Sequence, residues 1–203
     1  IPNDQNFHIR LDGQANVKIL DGQTVLTERE MQDELVFAPQ NPILWNAEKP
    51  HLYTVQLERD GEVIELRSGM RKIEVSGDYA LLVNGVAVKL HGVNHHDTSA
   101  TRGWCQSDEE LRNDLLLMKE LNINCVRTSH YPPTPKFMQM CDELGFYVIC
   151  ETDIETHGFL RRLPNVGYRF DVESNAWPCT KPEWKAEFVE RMRRMVELFK
   201  NYP

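Results

Sequence analysis

Along the first third of the chain, apolar and polar residues alternate with a period of two. The segments "FHIRL", "NVKIL", "TVLTE", "HLYTVQLE" and "EVIELRSG" carry the alternation, and Asp-Gly pairs at 12–13, 21–22 and 60–61 punctuate it. Such runs bury one face and wet the other, while Asp-Gly tolerates the positive φ of a tight hairpin turn. The pattern therefore predicts the short antiparallel strands of an all-β sandwich.

From Tyr79 the texture changes. "ALLVNGVAVKLHGV" holds an Asn84-Gly85 hairpin turn and ends in a first buried strand. Ser107 and Glu110 form a capping box ahead of Leu111, Leu115, Met118 and Leu121, which predicts a helix to about Leu121. "NCVRTSHY" follows as a second buried strand. Thr134-Pro135 opens a second helix with Phe137, Cys141 and Leu144 on one face and Gly145 as its stop. "FYVICETD" predicts a third strand, and a long polar loop leads to a second capping box, Thr180 with Glu183. The helix it opens is striped by Trp184, Phe188, Met192, Met195 and Phe199.

The chain thus divides into a β domain over 1–77 and an α/β domain over 78–203. Continuous apolar strands alternating with helices imply a parallel sheet. No glycine-rich phosphate loop follows the first strand, so an eight-fold β/α barrel is favoured over a doubly wound dinucleotide fold.

Composition adds exclusions. A net charge of −8 and a pI near 5.4 over 203 residues argue against a nucleic-acid partner. No apolar run reaches the roughly 20 residues of a membrane helix. Five cysteines without CxxC spacing indicate reduced thiols, and so a cytoplasmic location.

In a barrel of this type the chemistry sits at the C-terminal strand ends. The first predicted strand ends in Asn94, His95, His96 and Asp97, the second in Arg127, Ser129, His130 and Tyr131, and the third in "ETDIETHGF", residues 151–159. All three clusters are expected to face one mouth. Singly, a histidine at a strand end is more often structural than catalytic; together the clusters suit a polar ligand, and imidazoles can hydrogen-bond sugar hydroxyls. Trp104, Tyr131 and Phe159 add aromatic faces for a sugar or for packing.

"ETDIETHGF" itself has three readings. Glu155 and His157 can share a divalent cation, though two ligands leave a Mg²⁺ shell incomplete. Glu151 and Asp153, two apart on a strand, can approach the about 5 to 5.5 Å of a retaining glycosidase pair, but they lie on one side of a substrate rather than astride it. The third reading is a solvated or arginine-paired rim, with Arg127 as the partner.

The stretches "LWNAEKPHLYTVQL", "GVNHHD", "VRTSHYPPTP" and "ETDIETHG", in this order, resemble the bacterial β-galactosidases of glycoside hydrolase family 2 over about residues 41–203. The resemblance implies a partial immunoglobulin-like β-sandwich followed by the first three β/α units of a TIM barrel. It implies a retaining hydrolase of terminal β-galactosides, with both catalytic glutamates beyond Pro203, so that the chain is an inactive fragment. It assigns His96 and His130 to the galactosyl hydroxyls, Arg127 and Asn94 to supporting roles, and Glu155 and His157 to an active-site Mg²⁺. Sodium in the intact enzyme and a homo-oligomeric assembly are further expectations. His95, Asp97, Cys150 and Asp153 stand where the family commonly has arginine, glutamate, aspartate and asparagine. The alternatives are a non-enzymatic carbohydrate-binding or complementing module, and a β-glucuronidase or β-mannosidase of the same family.

Overall fold

A computed structural model of the chain describes residues 2–3, 5–156, 161–163, 167–169 and 178–203. The first half is an antiparallel sheet of β1 (Pro2–Asn3), β2 (Asn6–Asp21), β3 (Thr24–Phe37), β4 (Tyr53–Arg59) and β5 (Glu62–Ser68). β3, β2, β4 and β5 lie side by side, and β1 joins the start of β2. Phe7, Val17, Ile19, Met31, Leu35, Tyr53 and Val55 fall on one face and make its core with Met70. This is a sandwich-like domain built on the expected alternation.

One turn signal is corrected. "FHIRL" and "NVKIL" belong to a single strand, β2, and Asp12-Gly13 lies inside it as an irregularity between Arg10 and Gln14 in the pairing with β3. Gly13 takes φ +93, and its N–H donates to Asp33 Oδ1 at 2.9 Å. A bulge built on a glycine at positive φ uses the same kind of backbone as a hairpin turn, so the dipeptide alone does not distinguish them. Asp60-Gly61, by contrast, is the predicted turn between β4 and β5, with both residues at positive φ.

A three-stranded antiparallel sheet of β6 (Ile73–Val75), β7 (Leu81–Val83) and β8 (Val86–Ala87) follows, its second turn formed by Asn84 and Gly85 as predicted. Next come β9 (Gly92–His95), α1 (Asp108–Glu120), β10 (Cys125–Thr128), α2 (Pro135–Leu144) and β11 (Tyr147–Ile149). β9, β10 and β11 are parallel and adjacent in chain order, the arrangement of an opening barrel wall. The sheet is open, and α1 and α2 pack on it around Leu111, Leu115, Val126, Phe137, Cys141 and Phe146.

Ser107 and Glu110 form the predicted capping box, Thr134 caps α2, and Gly145 ends it at φ 78. Leu121 at the end of α1 departs from its stripe and is exposed. The region read as one polar loop contains two short paired antiparallel strands, β12 (Arg161–Leu163) and β13 (Gly167–Arg169). α3 (Glu183–Phe199) begins after Pro182, two residues past Thr180, so Thr180 does not hold its N-cap position; Pro182 does, without a side-chain cap, and the N–H groups of Trp184 and Lys185 donate to the carbonyls of Lys181 and Pro182 at 3.1 and 3.2 Å. Of its stripe only Phe199 is buried, with Met195 packed against the core; Met192 is exposed.

The two halves are joined through Trp45. Its ring is fully buried, its Nε1–H donates to the Asp142 carbonyl of α2 at 2.9 Å, and its backbone N–H donates to Met70 O at 2.7 Å. Ala47 O, two residues on, accepts from Lys119 Nζ at 3.1 Å, and the same ammonium reaches Gly145 O at 2.7 Å. The segment before β4 is therefore a wedge that fixes the sheet domain against α1 and α2.

Candidate active-site mouth

The ends of β9, β10 and β11 bring Asn94, Arg127 and Glu151 into one network. The Arg127 guanidinium donates through Nε to Glu151 Oε1 at 2.5 Å and through Nη1 to Asn94 Oδ1 at 3.3 Å. The partners are laid out by register: Arg127 pairs with Asn94 across the parallel ladder, and Glu151 lies two residues past Ile149, the ladder partner of Arg127. The Glu151 N–H donates to Thr128 Oγ1 at 3.0 Å, which turns its side chain back over β10. Hydrogen bonds from Arg127 hold the Glu151 carboxyl below its ordinary range. The arginine-paired reading of Glu151 is thus the one the structure shows.

His130 completes the cluster. Its Nδ1 lies 3.3 Å from Arg127 Nη2, 3.3 Å from Glu151 Oε2 and 3.3 Å from Glu155 Oε1. The His96 ring stands 5.4 Å away at 63°. The peptide bond before His130 is cis, and the Ser129 N–H donates to His95 O at 3.0 Å, so the turn after β10 is tied to the end of β9. His96 and Asn94 are exposed and His130 half-buried, so all three offer polar atoms at the surface.

The three acids of the opening stretch do not share a strand face, because β11 ends at Ile149. Glu151 goes to Arg127, Asp153 pairs with Arg191 of α3, and Glu155 goes to His130. Asp153 therefore belongs to the rim. His157 and Phe159 lie outside the described residues. Among the described residues, no three histidine, cysteine or acidic side chains come close enough to hold a metal ion.

His95 does not face the mouth as expected. It is 7% exposed, stacks on Phe137 of α2 at 5.0 Å, and places Nδ1 3.5 Å from Asp97 Oδ1 and Nε2 3.7 Å from Asp114 Oδ2. Successive strand residues alternate between faces, so an exposed Asn94 requires an inward His95. Asp97 closes this corner by donating its N–H to Tyr131 OH at 3.0 Å. Sequence reasoning missed Glu110 as a part of the mouth. Its carboxylate accepts from Ser107 N at 2.8 Å, Ser99 Oγ at 2.8 Å and Arg102 Nη2 at 2.5 Å, and these contacts, the Ser107 N–H foremost, lower its pKa to about 2.

This open wall of parallel strands, carrying a polar constellation at its C-terminal ends behind an antiparallel sheet domain, defines a class. Residues 73–203 match the TIM barrel domain of the glycosyl hydrolases family 2, and residues 4–71 match a second domain of the same family. The chain belongs to glycosyl hydrolase family 2.

Among its relatives is a beta-galactosidase of Arthrobacter sp. (strain B7), 46% identical over 158 residues that make up 78% of this chain and 14% of the relative. Another is a beta-galactosidase of Priestia megaterium (strain DSM 319 / IMG 1521), 37% identical over 94% of this chain and 18% of the relative. The chain therefore spans less than a fifth of these relatives' lengths. Among solved structures, Bifidobacterium dentium beta-glucuronidase complexed with coumarin-3-O-glucuronide superposes with a TM-score of 0.76 at 26% identity, covering 94% of this chain and 30% of that one. The Dictyoglomus thermophilum beta-D-glucuronidase shares the fold, with a TM-score of 0.82 at 23% identity over 98% of this chain and 35% of that one.

Proposed function

We propose that the protein carrying this chain is a retaining β-galactosidase that hydrolyses terminal non-reducing β-D-galactosides such as lactose, and that this chain forms one wall of the galactosyl pocket. The observation that supports it most directly is the joining of Asn94, Arg127, His130 and Glu151 into one network at adjacent strand ends, beside His96. His96 and His130 hydrogen-bond sugar hydroxyls in this reading, and Arg127 and Asn94 hold the imidazole of His130 and the neighbouring carboxylate in place.

The preference for a galactoside over a glucuronide is supported by the relatives: the beta-galactosidases match at 46% and 37% identity, the beta-glucuronidase structures at 26% and 23%.

Glu151 does not suit the general acid, which needs a raised pKa, because Arg127 lowers it. In this reading both catalytic glutamates lie beyond Pro203, as the likeness to the family implies, and the 203-residue chain alone does not turn over substrate.

A Mg²⁺ ion is part of the same reading. Glu155, whose side chain is 45% exposed, presents the hard oxygen donor such an ion prefers. His157 is its proposed companion ligand. Bound there, the ion supplies positive charge beside the sugar. The five free cysteines fit a cytoplasmic setting, and the assembly of the whole protein is proposed to be homo-oligomeric.

The test is a panel of nitrophenyl β-galactoside, β-glucuronide and β-mannoside with the full-length protein, before and after chelation. Preferred cleavage of the galactoside, reduced by chelation and restored by Mg²⁺, is the expected result. Preference for the glucuronide, or turnover by the 203-residue chain alone, overturns the proposal.

A further inference from the structure

Trp104 is a large exposed aromatic residue that neither the core nor the network above uses. Its side chain is 76% exposed, on the connection from β9 to α1 at the mouth. Exposed tryptophans are common on mobile loops, but this loop is pinned. Ser99 and Gly103 exchange both backbone hydrogen bonds, at 2.7 and 3.0 Å. Ser99 Oγ also accepts from the N–H groups of Thr101 and Arg102, both at 3.3 Å. Gly103 takes φ +66, a backbone conformation open to glycine, and it sets the direction in which the next residue leaves the turn. Glu110 then holds Ser99 and Arg102 from below.

The indole so displayed stands beside Tyr131, ring centroids 6.4 Å apart at 63°. Tyr131 directly follows His130 in the chain and is itself fixed by the Asp97 N–H on its hydroxyl. An aromatic face held rigidly next to a polar sugar-binding cluster has one evident use, since the C–H face of a pyranose packs on an aromatic ring while its hydroxyls stay in water.

We infer that Trp104, backed by Tyr131, is a stacking platform for the second sugar ring of the substrate, the one on the leaving-group side of the bond to be cut. Trp104 is then a specificity residue: it contacts the aglycone and leaves the galactosyl ring to His96 and His130. The inference rests on the galactosidase reading above, and it goes further by naming what holds the other half of a disaccharide.

The experiment uses the full-length protein and its variants Trp104→Ala and Trp104→Phe. Each is assayed with lactose and with methyl β-galactoside, whose aglycone is too small to reach a platform, and galactose is measured as an inhibitor. With Trp104→Ala, KM for lactose is expected to rise about tenfold, the worth of one aromatic contact. KM for methyl β-galactoside and the inhibition constant of galactose are expected to stay within about twofold. Trp104→Phe restores most of the lactose affinity, which a general loosening of the loop would not allow.

Equal changes for lactose and methyl β-galactoside, or no change for either, overturn the platform while leaving the galactosidase reading intact. A wild-type protein that cleaves neither galactoside overturns that reading and the platform with it.

Discussion

Asp142 is 4% exposed on α2, where the sheet domain meets the barrel wall, and its pKa is raised from 3.8 to about 8. Burial is the main cause. Arg71 and Arg67 pull the other way and Glu143 adds to the rise, but desolvation outweighs the attraction because Arg71 is itself buried and its pKa is lowered for the same reason. A carboxyl whose folded-state pKa lies above its unfolded one contributes its full stability only below about pH 3.8. That contribution is lost as pH rises through about 8. At 1.36 kcal/mol per pH unit, the loss reaches about 4 kcal/mol at pH 7 and about 6 kcal/mol above pH 8. Water entering the junction relieves part of it, so these are upper figures. Asp142→Asn keeps the shape and removes the charge. Urea unfolding of both proteins between pH 5 and 9 is expected to show the variant gaining on the wild type as pH rises, by at least about 2 kcal/mol at the alkaline end. Carboxylates such as Glu110 and Glu151 cancel in the difference, since both proteins contain them. Parallel stability profiles across the range would refute the assignment of a buried, largely neutral Asp142.

Gly145→Ala is expected to destabilise the chain by more than about 2 kcal/mol in the same urea unfolding, because a Cβ there meets Ala47 O at 2.3 Å in a backbone at φ +78. Gly77→Ala, with nothing within 4 Å of its Cβ, is the control and is expected to be nearly neutral. Arg127→Met removes the shared partner of Asn94, His130 and Glu151. In the full-length protein kcat/KM for nitrophenyl β-galactoside is expected to fall at least about tenfold, or 1.4 kcal/mol of transition-state stabilisation. An unchanged kcat/KM would remove Arg127 from the site.

Where local chemistry decides, the sequence was a good guide. Ser107 with Glu110, Thr134-Pro135 and Gly145 each mark a helix end through contacts within a few residues, and each is found where the pattern places it. Asp12-Gly13 misled because the same dipeptide serves a bulge, here bonded to Asp33, and Thr180 because α3 starts only after Pro182. The mouth was legible as three polar strand ends. Its division of labour was not, since an inward His95 and a Glu151 turned onto Arg127 depend on where a strand stops and which face it presents. Trp45 was visible only as part of a motif; its bond to Asp142, 97 residues away, belongs to the packing of two domains.

The Glu110 carboxylate is at once the reciprocal half of the α1 capping box and a tie to the loop that carries Trp104. The first turn of the helix brings Glu110 to the Ser107 N–H, and the same carboxylate adds to the loop's own Ser99–Gly103 pairing by reaching Ser99 and Arg102. The helix start and the loop at the mouth thereby share one side chain, so an inserted or deleted residue between Ser99 and Ser107 is expected to disturb both together.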